Sequence, residues 1–294
     1  MSKRNLAIIG ATMVSLIYGI TFTVAKDVMP QYIQPFGFIL LRVLGATLLF
    51  WMVSFFSPKE KIATSDFLRI TAAAFFGVAF NMLTFFKGLS YTSPIMSSVL
   101  MVTSPILVLI FSAIIVKEKL QSKKVIGIVL GLSGAAILIL YGKQLASMPH
   151  AMLGNFLVFI NAVSYAFYLI IVKKLMDKYN AFTFVKWIYT IGFLIVLPFG
   201  WNEIQQVDWH TIPNDIYFKI GFVVLFSTFF TYLLNLLSMR QLSPTTVAVF
   251  IYLQPLFATI FAIGLGKDNL DKVKIGSAFL VFLGVYLVVV KKTK

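Results

Sequence analysis

Polar side chains recur at helical spacing inside the long apolar stretches of this 294-residue chain. Residues spaced i, i+4 and i+7 share one face of a helix, and polar residues within a membrane span usually face the protein interior. Such faces can bind a small polar molecule without catalysing a reaction. They predict an aromatic, hydroxylated and uncharged cavity, and the residues that could line it are Tyr18, Asn81, Ser97, Met101, Asn161, Tyr165, Tyr168, Thr231, Asn235, Tyr252 and Gln254.

The hydroxyl groups of this set also have a structural interpretation. A single Ser or Thr inside a membrane more often joins two helices through a hydrogen bond, which contributes about 0.6 kcal/mol. For the three asparagines and Gln254 the cavity interpretation is favoured, because these amides are costly to leave in lipid.

Three cations interrupt the apolar stretches, namely Arg42, Lys87 and Lys186. A charge at the centre of a span costs about 2.5–3.5 kcal/mol on the insertion scale. Lys87 and Lys186 are expected to extend their long side chains to the membrane interface. For Arg42 two interpretations stay open: its guanidinium reaches the interface, or it attracts the carboxylate of an anionic or zwitterionic cargo.

The residues that catalysis would need are missing from the apolar stretches. The chain has no cysteine, its ten Asp and Glu residues lie in loops or at helix ends, and its two histidines are predicted in outer loops. Membrane-embedded enzymes need nucleophiles, paired carboxylates or metal ligands, so we expect no enzyme, no catalytic residue, no metal site and no cofactor. Proton-driven carriers usually relay protons through Asp, Glu or His, so facilitated or exchange transport is expected instead.

The composition indicates which elements position these residues. The chain is 60% hydrophobic and 12% charged, whereas a soluble domain is about 25% charged. Stretches of about 20 apolar residues are long enough to span a bilayer as helices. Ten such stretches predict an all-α polytopic membrane protein embedded in the lipid bilayer; they are residues 6–25, 36–56, 68–88, 95–116, 125–141, 151–172, 182–199, 217–238, 245–265 and 275–290.

The distribution of basic residues predicts the orientation. With ten spans both termini share one side, and Lys and Arg favour that side by sixteen to six. Lys and Arg collect in cytoplasmic loops, so both termini are predicted to be cytoplasmic. The same rule explains the formal charge of +15 without a nucleic-acid partner. Residues 200–215 are predicted to form the longest outer loop, and the stretch after Lys3 and Arg4 is predicted to remain as a helix.

Two halves of the chain repeat each other at a distance of 150 residues. Pro94 aligns with Pro244, Pro105 aligns with Pro255, and Gly134 aligns with Gly284. The pattern predicts two five-helix repeats, residues 1–142 and 151–294. Because five is odd, the second repeat crosses the membrane in the opposite direction, as in many secondary transporters. Duplication retained only for folding is the alternative.

The prolines and glycines of the repeat predict helix ends, kinks and close packing. Pro94 and Pro244 are placed where helices begin, whereas Pro105 and Pro255 fall in mid-membrane and predict kinks that gate a cavity. An ordinary helix kink is the alternative for these two. Stretches 5 and 10 carry glycines at spacings that allow close helix packing, and a homodimer through these two stretches is one interpretation; the glycines are Gly127, Gly131, Gly134, Gly276 and Gly284.

Two matching segments of the chain resemble the EamA-type carriers of the drug/metabolite transporter superfamily. They are FFKGLSYTSPIMSSVLMVTSPILVLIFSAIIVKEKL in the first half and YLLNLLSMRQLSPTTVAVFIYLQPLFATIFAIGLGKDNL in the second. The resemblance covers the whole chain and implies a ten-helix carrier of the bacterial inner membrane, with a small-molecule substrate. It also implies export of amino acids or related metabolites. One departure is Asp268, which stands where glutamate is usual in the second unit. The alternatives are a channel and a membrane sensor or scaffold without transport.

Overall fold

A computed structural model describes residues 2–57, 60–92, 94–141, 150–264 and 270–290. Within these residues ten helices are long and apolar enough to cross a membrane, which confirms the prediction of an all-α polytopic membrane protein. The ten helices are α1 Lys3–Val28, α2 Pro35–Ser54, α3 Thr64–Tyr91, α4 Met96–Val116, α5 Ser122–Leu140, α6 Ala151–Met176, α7 Ala181–Gln205, α8 Asn214–Met239, α9 Pro244–Phe261 and α10 Lys272–Val289.

The predicted outer loop at residues 200–215 is wrong for its first part, because α7 continues as far as Gln205. The reason is a contact with α2 that the local sequence does not show. Gly200 lies so close to α2 that an added Cβ would sit 2.5 Å from the carbonyl oxygen of Phe36. One turn further on, the carboxylate of Glu203 accepts a 2.8 Å hydrogen bond from the backbone N–H of Gly37. This bond satisfies a free donor at the N-terminus of α2.

The fold has two inverted five-helix repeats, and several helices of one repeat pack on the corresponding helices of the other. Helix α2 packs on its counterpart α7, and α5 packs on its counterpart α10. The first helix of each half crosses to the other half: α1 packs against α8 and α9, and α6 packs against α3 and α4. The two halves are therefore interleaved, and a centre forms between α1, α3, α6 and α8.

The helices around this centre contain irregular turns at matching places. Helix α3 has a π-helical segment at Phe75–Ala79, and α8 has one at Leu225–Phe230. In α4 the helix breaks between Met101 and Ser104, just before Pro105, and in α9 a 3-10 turn at Phe250–Tyr252 precedes Pro255. Irregular backbone at membrane depth is tolerated where it is buried in protein or lines a cavity, and π segments are frequent at functional sites.

Candidate substrate cavity

A cavity of about 100 Å³ lies among seven helices, α1, α2, α3, α4, α6, α8 and α9. It draws on both halves of the chain. Most of its surface is apolar or aromatic, with amides, hydroxyls and one guanidinium among them. The lining residues are Tyr18, Thr21, Ala25, Arg42, Asn81, Met82, Phe85, Phe86, Leu89, Met101, Asn161, Tyr165, Ser227, Tyr232, Ile251 and Gln254.

The structure brings seven of the residues singled out from the sequence into this lining. They are Tyr18, Arg42, Asn81, Met101, Asn161, Tyr165 and Gln254. The remaining five are buried in the protein but are absent from the lining; they are Ser97, Tyr168, Thr231, Asn235 and Tyr252. Tyr168 and Tyr252 lie against glycines, since a Cβ added at Gly77 or Gly131 would meet their rings at 2.1 Å and 2.3 Å.

The π-helical segment of α8 explains why the predicted face of that helix differs from the observed one. The spacing rule selected Thr231 and Asn235, assuming 3.6 residues per turn. Instead Ser227 and Tyr232, five residues apart, line the cavity, and five is the hydrogen-bonding period of a π-helix. The hydroxyl of Thr231 donates to the carbonyl of Ser227 at 2.7 Å. The other lining residues missed from the sequence are mostly apolar and offer no polar signal.

Arg42 is placed inside the protein, not at the membrane interface. Its side chain is 3% exposed, and its Nε–H donates to the Thr228 hydroxyl at 3.1 Å. The guanidinium carbon lies 4.4 Å from the centre of the Phe86 ring and 6.0 Å from that of Phe38. Since the guanidinium also borders the cavity, the expectation of an uncharged cavity is corrected: the site is cationic.

The other two cations lie away from this cavity. Lys186 is placed 4.7 Å from the centre of the Trp51 ring and 3.4 Å from the Ser54 hydroxyl, and it borders a separate cavity next to Glu60. Lys87 lies over the ring of Tyr91 at 4.8 Å, near the end of α3.

Amide and tyrosine groups form the polar part of the wall. Asn161 donates to the carbonyl oxygen of Asn81 at 2.7 Å, and Asn81 approaches the carbonyl of Asn161 at 3.4 Å, so these two side chains join α6 to α3. The hydroxyl of Tyr232 donates to the carbonyl oxygen of Gly77 in the π segment of α3. Its ring centre lies 6.0 Å from that of Tyr168. These contacts hold the cavity wall across the boundary between the two halves.

The cavity occupies the end of the bundle remote from the N-terminus. It reaches Ala25 and Leu89, which lie close to the ends of α1 and α3. The end near the N-terminus is held by contacts between helices. There the Ser238 hydroxyl donates to the carbonyl of Ala7 at 2.9 Å, and the Thr245 hydroxyl donates to Glu118 at 2.9 Å.

A polar cluster at this same end joins the start of α3 to the loop after α6. The carboxylate of Asp66 accepts hydrogen bonds from the ammonium group of Lys178 and from the Tyr179 hydroxyl, the latter at 2.7 Å. The bond to Asp66 raises the pKa of Lys178 above its ordinary value, because it favours the charged ammonium.

The proline positions are consistent with helix starts and breaks, and their part in gating stays a prediction. Helical segments begin at Pro94 and at Pro244. Pro105 and Pro255 directly follow the irregular turns of α4 and α9, and neither side chain lines the cavity. The hydroxyl of Ser15 in α1 donates to the carbonyl of Phe250 at 2.7 Å, which ties α1 to the irregular turn of α9.

Inverted repeats around a cavity within the bundle are found in many secondary transporters. The chain belongs to the EamA-like transporter family, whose model matches residues 5–140 and again residues 152–290. This confirms the resemblance to the drug/metabolite transporter superfamily and identifies a membrane transporter.

Relatives and a solved structure agree with this assignment. The chain is 25% identical to the uncharacterized transporter YetK of Bacillus subtilis, over 99% of this chain and 89% of YetK. It is 27% identical to an uncharacterized transporter of Archaeoglobus fulgidus, over 94% and 95% of the two chains. One crystal structure superposes with a TM-score of 0.76 at 14% identity, covering 97% of this chain and 96% of the other. That similarity shows a shared fold.

Proposed function

We propose that this protein is a secondary carrier that exports small metabolites, such as amino acids or related compounds, by alternating access. The observation that carries the proposal is the cavity itself. Helices of both repeats line it, and it extends towards one end of the bundle while interhelical contacts hold the other. We place the carrier in the bacterial inner membrane with both termini cytoplasmic, on the distribution of Lys and Arg. In that orientation the cavity faces outward.

The repeat supports a specific pair of conformations. In the present one, α1 contacts α8 through Ser238 and Ala7, and the end of α4 contacts the start of α9 through Glu118 and Thr245. In an inward-facing conformation we expect these contacts to open and the helices around the outward cavity to close over it. The irregular turns before Pro105 and Pro255 would let α4 and α9 bend as the two ends exchange. This is the gating role that we propose for the prolines.

The cavity lining supports transport without a proton relay. Among the residues that the structure describes, no Asp, Glu or His lines the cavity. Proton coupling usually relies on such groups within the membrane. We therefore propose exchange or facilitated transport.

Counterflow in proteoliposomes tests the proposed function. Liposomes with the purified protein are loaded with a mixture of amino acids and metabolites, and labelled candidates are added outside, with and without a pH gradient. Saturable exchange of one chemical class supports the carrier. Accumulation driven by the pH gradient would contradict exchange without a proton relay. Folded protein that exchanges none of the compounds would favour a sensor or scaffold.

The topology and the oligomeric state have separate tests. Because the chain has no cysteine, single cysteines near either terminus can be labelled from a chosen side without background, and protection from an external impermeant reagent is expected. A homodimer through α5 and α10 stays a prediction. Gly127, Gly131, Gly134 and Gly284 already pack between these two helices within one chain, so a dimer would have to use their outer faces.

A further inference from the structure

Arg42 is a buried cation with no anionic partner in the part of the chain that the structure describes. Its Nη1 has no hydrogen-bond partner among the described residues. No described carboxylate forms a salt bridge with it, and none lines the cavity. Burying an isolated charge is unfavourable unless an opposite charge and hydrogen bonds compensate for it. This uncompensated positive charge is the most direct indication of what the cavity binds.

The internal repeat pairs Arg42 with an uncharged residue. Gly45 of α2 and Gly192 of α7 occupy matching positions, because an added Cβ would lie 2.5 Å from Val224 in the first case and 2.6 Å from Val78 in the second. When these two glycines are aligned, the counterpart of Arg42 is Tyr189, which is fully buried. The second half therefore builds the same position without a charge, and packing alone does not account for Arg42.

We propose that the cargo is a small monocarboxylate with no cationic group, and that Arg42 binds its carboxylate. This rests on the proposed function as a carrier, and it narrows the cargo from amino acids and related compounds to acids that lack an ammonium group. The guanidinium geometry matches a carboxylate well, and Nη1 is the donor left free. Phe86 and Phe38 limit access to the faces of the guanidinium. The apolar body of the cargo would contact Phe85, Leu89 and Ile251.

The charge of the occupied cavity distinguishes an anion from a zwitterion. A monocarboxylate brings the net charge of Arg42 and cargo to zero. A zwitterion leaves one positive charge in a low-dielectric site, where no described carboxylate is available for its ammonium group. Two lining residues have a buried acceptor with no partner among the described residues, namely the amide oxygen of Asn161 and the hydroxyl of Ser227. A neutral hydroxyl or amide N–H on the cargo suits either oxygen.

The same charge also determines the mode of transport. The loaded cavity is neutral, whereas the empty cavity carries the uncompensated charge of Arg42 through the conformational change. Reorientation of the loaded carrier should therefore be faster, so anion-for-anion exchange should exceed net flux. Exchange of one monoanion for another moves no net charge and should not respond to membrane potential.

Ligand-induced thermal stabilisation in detergent tests the site without requiring transport. The probes are benzoate and 3-phenylpropanoate, their neutral amides, phenylalanine and 2-phenylethylamine. The variants are R42Q, the charge-conserving R42K, and K186Q as a matched control whose cation lies outside this cavity. We expect the two acids to stabilise the wild type and K186Q. In R42Q the apparent affinity for the acids should fall about 10- to 100-fold, with R42K between the two.

The controls separate recognition from folding and from transport. Ligand-free R42Q should be at least as stable as the wild type, since the substitution removes an uncompensated buried charge. The proposal is overturned if neither acid stabilises the wild type, if an amide or phenylalanine binds as tightly as its acid, or if R42Q binds the acids normally. Acid-specific binding without counterflow would reject the carrier and keep the anion site. Counterflow that R42Q does not alter would keep the carrier and reject the anion site.

Discussion

Two glycines of α10 differ in their packing: Gly284 lies against α5, whereas Gly276 faces open space. A comparison of G284A with G276A therefore tests how closely α5 and α10, and with them the two repeats, pack together. A Cβ added at Gly284 would lie 2.5 Å from the backbone nitrogen of Gly131 and 2.6 Å from the carbonyl oxygen of Gly127, both in α5. Ordinary contacts begin at 3.4 Å, and nothing lies within 4 Å of a Cβ at Gly276. The clashing atoms are backbone, so no side-chain rotation can relieve the overlap. Helix α5 must move as a body.

The expected magnitude follows from two opposing terms. Each Gly to Ala change gains about 0.8–1.0 kcal/mol of helix propensity, and this gain is common to both variants. Overpacking costs typically about 1–3 kcal/mol, and only G284A incurs it. The free energy of unfolding of G276A should therefore equal or exceed that of the wild type. That of G284A should lie about 1–3 kcal/mol below that of G276A, because the propensity terms cancel in this comparison.

Reversible unfolding in mixed micelles, followed by tryptophan fluorescence and by helical circular dichroism, measures both variants under one condition. Equal stabilities of G284A and G276A would refute the close approach of α5 and α10. Neither residue borders the cavity, so ligand affinity of the folded fraction should be unchanged in both. A change of affinity in G276A would contradict the separation of this helix pair from the cargo site.

Three further outcomes follow from particular contacts. T245V removes the hydrogen bond to Glu118, which should favour opening at the N-terminal end by about 1.5–3 kcal/mol and raise the maleimide labelling rate of a single cysteine placed at the buried Leu242. E203A removes the acceptor for the Gly37 N–H and should lower stability by about 0.5–2 kcal/mol, with E203Q losing less; equal stability of E203A and the wild type would exclude this cap. Counterflow rates should be the same with and without a pH gradient, because no described lining residue is Asp, Glu or His.

The ten spans and the two repeats could be predicted because their signals are local. Each span is a run of about 20 apolar residues, and the repeat is visible as prolines and glycines in one register. The same approach selected Tyr18, Asn81, Asn161, Tyr165 and Gln254, which the structure brings together in the cavity lining. A polar residue in an apolar helix must face the interior, so its type alone restricts its position.

The membrane environment, the number of helices and the polar residues inside them thus follow from hydrophobicity along the chain. Other features depend on contacts between helices and become visible only in the folded protein. The π segment of α8 rotates Ser227 and Tyr232 into the lining, and the contact with α2 extends α7 through Gly200. Packing of α2 against α8 places Arg42 in the cavity. The helical period predicts which residues share a face only where the helix is wound uniformly. Which helix packs against that face depends on residues far away in the chain.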